Sequence, residues 1–172
     1  MTPRLTFIEP RTDAEMAAFR ALNWDYRDFL LALPPPDGAI VRAAYPEERF
    51  RAILDAAERE NRPPRGTMRL VLKNGVPVGC GTIQTLAPGD CEIKRVWIAP
   101  EVQGLGAGRA LMERLIADCR ELGFTRILMD TGRPLSQATK LYDSMGFSRR
   151  GPYQPMPPEA EGIMIYFELP LR

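Results

Sequence analysis

The chain has 172 residues and a mass of 19.3 kDa, about what one hydrophobic core can fill, so a single domain over residues 1–172 is expected. Its 45% hydrophobic and 26% charged residues exclude disorder over most of the length. A net charge of +1 lacks the basic excess that a nucleic-acid backbone demands, and the absence of histidine excludes Ser-His-Asp catalysis, His-ligated zinc and a histidine proton shuttle.

Met1 to Phe7 runs into charge without an apolar signal core, and no later stretch approaches the roughly 20 apolar residues of a membrane span, so a cytoplasmic protein without membrane contact is expected. Leu5 to Glu9 reads as a short strand. Thr12 then caps a helix running to about Leu30, with Glu15 as its capping-box partner. Leu33 to Gly38, with three consecutive prolines, breaks that helix, and Pro46 suits the first position of the next one. There Phe50, Ile53, Leu54 and Ala57 form one buried stripe at i, i+3, i+4 and i+7.

After a break over Asn61 to Gly66 the pattern turns to strands: Met68 to Lys73, an Asn74-Gly75 hairpin turn, Val76 to Leu86, the turn Ala87 to Asp90, and Cys91 to Ile98. The last of these is apolar on both faces towards its end, as a central strand is. From Gly106 a helix buries Leu111, Met112, Leu115, Ile116, Cys119 and Leu122 and ends at Gly123. Phe124 to Asp130 is a strand, Ser136 to Met145 a helix closed by Gly146, and Ile163 to Leu169 a final strand behind the proline-rich loop Gly151 to Pro158. Cys80, Cys91 and Cys119, odd in number and without CxxC spacing, suggest neither disulfides nor a metal knuckle, which fits a reducing compartment.

The segment Gln103-Gly104-Leu105-Gly106-Ala107-Gly108-Arg109 carries the most chemistry. Three glycines in five residues leave backbone N–H groups uncovered at a positive helix terminus, an anion site suited to phosphate or pyrophosphate. It lacks the Lys-Ser or Lys-Thr of a nucleotide P-loop, and Arg109 stands where a dinucleotide fingerprint has its last glycine.

Cys91 to Gly108, with Val96, Ile98 and Pro100 ahead of the glycine loop and Ala138 to Phe147 as the late helix, resembles the signature of the GNAT superfamily, the acyl-CoA-dependent N-acyltransferases. The likeness is detailed from Met68 to Phe147 and topological elsewhere. It implies a mixed α/β fold, a central and mostly antiparallel sheet with helices on both faces. It implies acetyl-CoA as co-substrate without a metal, its pyrophosphate on the amides of Gln103, Gly104, Leu105, Gly106, Ala107 and Gly108 with Arg109 assisting. The pantetheine arm would lie as an added strand along Val96, Trp97 and Ile98, and a free strand N–H would hold the thioester oxygen. Tyr142 matches the family's acid for the departing thiolate, and Glu92, eleven residues before Gln103, its base, with Lys94 on the same strand face. Where many members carry an Asn that touches pantetheine, this chain has Leu135.

The activity so implied is transfer of an acetyl group to a primary amine of a small molecule by direct attack in a ternary complex. The other readings are a non-catalytic acyl-CoA-binding sensor or a protein N-terminal acetyltransferase; a homodimer is compatible with each. Lys94 and Arg95, on opposite faces by strand alternation, are expected to hold a carboxylate of the acceptor, and Trp24, Tyr26 and Tyr153 to form an aromatic wall.

Overall fold

Seven strands form one sheet in the computed structural model, which describes residues 4–172; the signal-core reading falls partly on residues 1–3, outside them. Strand β1 (Leu5–Ile8) pairs antiparallel with β2 (Gly66–Lys73). The chain turns at Asn74 and Gly75, φ +50° and +83° as a tight hairpin requires, into β3 (Val76–Ala87), and again into β4 (Asp90–Ile98). Strand β5 (Arg126–Gly132) runs parallel to β4 and antiparallel to β7 (Met164–Pro170), and β6 (Ser148–Arg150) completes the order β1-β2-β3-β4-β5-β7-β6. This centres β4, as its two apolar faces imply.

On one face lies α1 (Asp13–Leu31), whose capping box is complete: Thr12 Oγ1 accepts from Glu15 N at 3.2 Å and Glu15 Oε2 from Thr12 N at 3.0 Å. Its Met16, Phe19 and Leu22 pack on Met68, Leu70, Cys80 and Trp97. Helices α2 (Asp37–Ala44) and α3 (Glu47–Glu60) follow; α3 docks on α1 through Arg20, bonded to Asp55 and Glu58, and through Phe50, 5.0 Å from the Trp24 ring. The opposite face carries α4 (Ala107–Glu121) and α5 (Ser136–Ser144). Leu111, Met112, Leu115 and Cys119 of α4 are fully buried, each large apolar side chain contributing about 1.5–3 kcal/mol. Gly81 admits that helix closely, since a Cβ there would stand 2.8 Å from Leu115 Cδ1. No helix among the described residues is long and apolar enough to cross a membrane.

Two elements depart from the sequence pattern. Helix α2 fills part of the stretch the prolines mark as a break, starting without a side-chain cap directly after Pro36, and β6 is a three-residue edge strand too short to leave a period. Pro46 is the residue before α3, with ψ 152°, rather than its first helical residue.

Candidate active site

Strands β4 and β5 pair only where Asp90, Cys91 and Glu92 meet Arg126, Ile127 and Leu128. Beyond Glu92 they part, because β5 continues along β7 while β4 is bent by a bulge. Thr82 faces Lys94 and Cys80 faces Trp97, so Gly81 alone opposes both Arg95 and Val96. Arg95 takes φ +49°, a left-handed conformation that costs a non-glycine residue about 1–2 kcal/mol. The parting opens a cleft of about 600 Å3 between Ile93–Ile98 on one side and Met129–Thr131 on the other, closed by α1, α5 and the glycine loop. The edge of β4 facing β5 is thereby left for an extended ligand.

At the cleft mouth Gly104 and Gly106 adopt φ +78° and +77°, and Gly106 caps α4 with no side chain on its amides. A Cβ at either glycine meets nothing within 4 Å, so backbone conformation rather than space requires them there. The uncapped first turn points N–H groups and the positive end of the helix dipole at whatever binds. Gln103 Nε2 donates to Ile98 O at 2.9 Å, tying the loop to the strand end, and Arg109 Nη2 donates to Ser144 Oγ at 2.6 Å, tying α4 to α5.

Tyr142 lines the cleft with its ring packed on Phe147 and Phe167. Burial first, then the charge of Asp130, pushes its phenol well above the usual range and keeps it protonated. Asp130, the candidate missed in the sequence, lines the same cleft from β5. Burial raises its carboxyl above the ordinary value, the nearby charge of Glu92 raises it further, and Lys94 and Gln154 lower it. The available signal was a lone acid ending the otherwise apolar run Ile127-Leu128-Met129.

Glu92 is fully buried beneath the cleft and does not line it. Its Oε1 accepts from Gln84 Nε2 at 3.0 Å and lies 3.3 Å from Lys94 Nζ; its Oε2 accepts from the Tyr153 hydroxyl and from Gln154 Nε2 at 3.2 Å. Val96, Trp97, Ile98, Gln103, Gly104, Gly108 and Leu135 all line the cleft, the last adding an apolar surface at the start of α5.

Four positions differ from expectation, Glu92 first: expected as the base at the acceptor amine, it is enclosed beneath the cleft. The bulge carries Arg95 out of strand alternation to the side of Lys94 and Trp97, where Tyr45, Cys80 and Tyr26 are the titratable groups that act on it most strongly. Of the expected aromatic wall only Tyr26 lines the cleft. Trp24 turns to Phe50 beneath the Arg27 and Arg51 guanidiniums, and Tyr153 spends its hydroxyl on Glu92 with its ring edge-on to Tyr166. The aromatic side is made instead with Phe29, Tyr45 and Trp97.

A parted central strand pair thus lies beside an uncapped glycine loop, leaving an unpaired strand edge and free helix-terminal amides at one cleft. The chain matches the Acetyltransferase (GNAT) family over residues 16–147 and belongs to it. It is 36% identical over 102 residues to an IAA acetyltransferase of Azospirillum brasilense, covering 58% of this chain and 64% of that one. It is 36% identical over 93 residues to an uncharacterized N-acetyltransferase of Schizosaccharomyces pombe, covering 53% and 57%. The chain thus spans about three fifths of the length of these relatives. Among solved structures it resembles a GNAT-family acetyltransferase of Staphylococcus aureus, TM-score 0.74 at 15% identity over 98% and 100% of the two chains. The PaiA N-acetyltransferase of Thermoplasma acidophilum in complex with coenzyme A gives a TM-score of 0.70 at 12% identity over 98% and 99%.

Proposed function

We propose that the protein transfers the acetyl group of acetyl-CoA to a primary amine of a small molecule, both substrates meeting in the cleft. The observation that carries this reading is the unpaired edge of β4 leading straight to the uncapped amides of Gly104 to Gly108. An extended arm fits the one and a pyrophosphate the other. The loop amides with Arg109 would hold the pyrophosphate, and the backbone of Val96, Trp97 and Ile98 the pantetheine. Acetyl-CoA supplies the electrophilic thioester carbon.

Asp130 takes a proton from the acceptor ammonium, freeing the nitrogen to attack. As the N–C bond forms and the C–S bond breaks, Tyr142 gives its proton to the departing sulfur and recovers one from the new amide nitrogen. The products are the N-acetylated amine and the CoA thiol, with one proton passed to solvent from Asp130. A free N–H on the β4 edge facing the thioester oxygen contributes about 3 kcal/mol as charge develops there. Glu92, enclosed by four partners, acts indirectly: its charge raises the Asp130 carboxyl towards the pH at which a base works best. Alignment of amine and thioester in one cleft removes much of the entropic barrier without a protein nucleophile. Asp130 and Tyr142 lining the same cleft favour catalysis over a binding module, and the IAA acetyltransferase name of one relative supports a small acceptor.

The test is thermal: acetyl-CoA raises the melting temperature, NAD and ATP do not, and thiol release from acetyl-CoA requires an added amine. Equal stabilisation by NAD contradicts the reading.

A further inference from the structure

The arginines of this chain divide sharply. Among those not exposed, Arg20, Arg62, Arg69, Arg114, Arg126 and Arg150 each pair with a carboxylate. Arg27 and Arg95 form no ion pair among the described residues, and both line the cleft. Arg27 reaches from α1, its Nε donating to Tyr45 O at 2.9 Å. Arg95 sits in the bulge with its Nε enclosed and without a hydrogen-bond partner, and the indole N–H of Trp97, two residues on, is enclosed and unpartnered as well.

Among the described residues no carboxylate pairs with either cation, and Glu92 acts on Arg95 less than Tyr45, Cys80 and Tyr26 do. Glu92 is committed to Lys94, Gln84, Tyr153 and Gln154. Asp25 and Asp28 of α1 line a separate hollow on the far side of Trp97 with Pro77 and Glu101. Asp130, in the cleft, feels Lys94 and Glu92 rather than Arg95. Desolvation is the largest influence on Arg95 and disfavours the charge that Tyr45, Cys80, Tyr26 and Glu92 favour, so the chain holds this cation in a strained backbone, without an ion pair and with its Nε unsatisfied. A guanidinium so held is suited to the two oxygens of a carboxylate.

We infer that the cleft contains a carboxylate subsite built on Arg95 and Arg27, so that the acceptor is an amine bearing a carboxylate, of amino-acid type. This rests on the acetyl-transfer reading for the amine end alone: the ammonium meets Asp130 and the carboxylate meets the arginines. Tyr26, Tyr45 and Trp97 add room for an aromatic or apolar side chain.

Binding and turnover test it separately. With CoA present, N-acetylphenylalanine and N-acetylglycine are compared with their carboxamides by thermal shift, and phenylalanine and glycine with phenylalaninamide and phenethylamine by thiol release. At least one acid is expected to bind about tenfold or more tighter than its amide. Arg95→Gln is expected to erase that difference while keeping the stabilisation by CoA alone, which reports folding; Arg27→Gln is expected to reduce it. Among acceptors, Arg95→Lys raises KM for the carboxylate-bearing amine with kcat and the KM for acetyl-CoA little changed. Acids that bind no better than amides, or a discrimination that survives in Arg95→Gln, overturns the subsite. Acids that bind through Arg95 while no amine is acetylated leave the subsite standing and overturn the acetyl-transfer reading.

Discussion

Lys94 Nζ lies 3.3 Å from Glu92 Oε1, two residues back on the same face of β4, and this pair separates the two carboxylates at the parting of the sheet. Glu92 is buried, and its hydrogen bonds come from three other side chains; Asp130 alone of the two opens onto the cleft. Glu92→Gln leaves Lys94 without its counter-charge and should cost about 2 kcal/mol, read by urea denaturation. Because the Glu92 charge raises the Asp130 carboxyl, the acid limb of kcat/KM should also move to lower pH in this variant. An unmoved limb would falsify the indirect role of Glu92.

Asp130→Asn trades function against stability. The folded carboxyl is raised by burial above its unfolded value. As pH rises through the ordinary carboxylate range the unfolded chain therefore loses a proton that the folded chain keeps, and stability falls until the raised value is passed. Asn removes this penalty, so the variant should melt higher than wild type at pH 7, with a smaller difference at pH 3. Its kcat/KM should drop by on the order of 10². A variant less stable at pH 7, or one that retains full turnover, contradicts the placement of the base.

Tyr142→Phe keeps the ring packed on Phe147 and Phe167 and removes only the phenolic proton. Steady-state kinetics should show kcat reduced by on the order of 10² with the KM for acetyl-CoA nearly unchanged. Turnover within about twofold of wild type removes Tyr142 from the mechanism.

Gly106→Val forces a β-branched residue to φ +77°, at a cost of about 1–2 kcal/mol, and covers the amides of the α4 terminus although its Cβ meets no neighbour. The folded variant should lose its thermal response to acetyl-CoA. A preserved response means the pyrophosphate binds elsewhere.

What could be read locally was read from the sequence. The Thr12 to Glu15 capping box, the Asn74-Gly75 turn, and the helix-ending Gly123 and Gly146 each depend on a few adjacent residues, and each is present, both glycines at positive φ. The bulge left no such mark, because the residue at positive φ is Arg95 and the residue opposite it, Gly81, lies on another strand. Without the bulge, strand alternation sends Arg95 to the wrong face. Asp130 was hidden for a related reason: its importance comes from where β5 leaves β4, a long-range fact that its own strand does not state. Trp24 and Tyr153 were drawn to the site by chemistry alone and are held elsewhere by Phe50 and Glu92.

The most direct measurement incubates the protein with acetyl-CoA and a panel of primary amines, and counts CoA thiol and N-acetylated amine in the same sample. One thiol released per acetyl group found on nitrogen, with both lost together in Asp130→Asn and Tyr142→Phe, is the predicted result. Thiol released without an acetylated amine, or an acetylated amine formed at the same rate by both variants, contradicts direct transfer in this cleft.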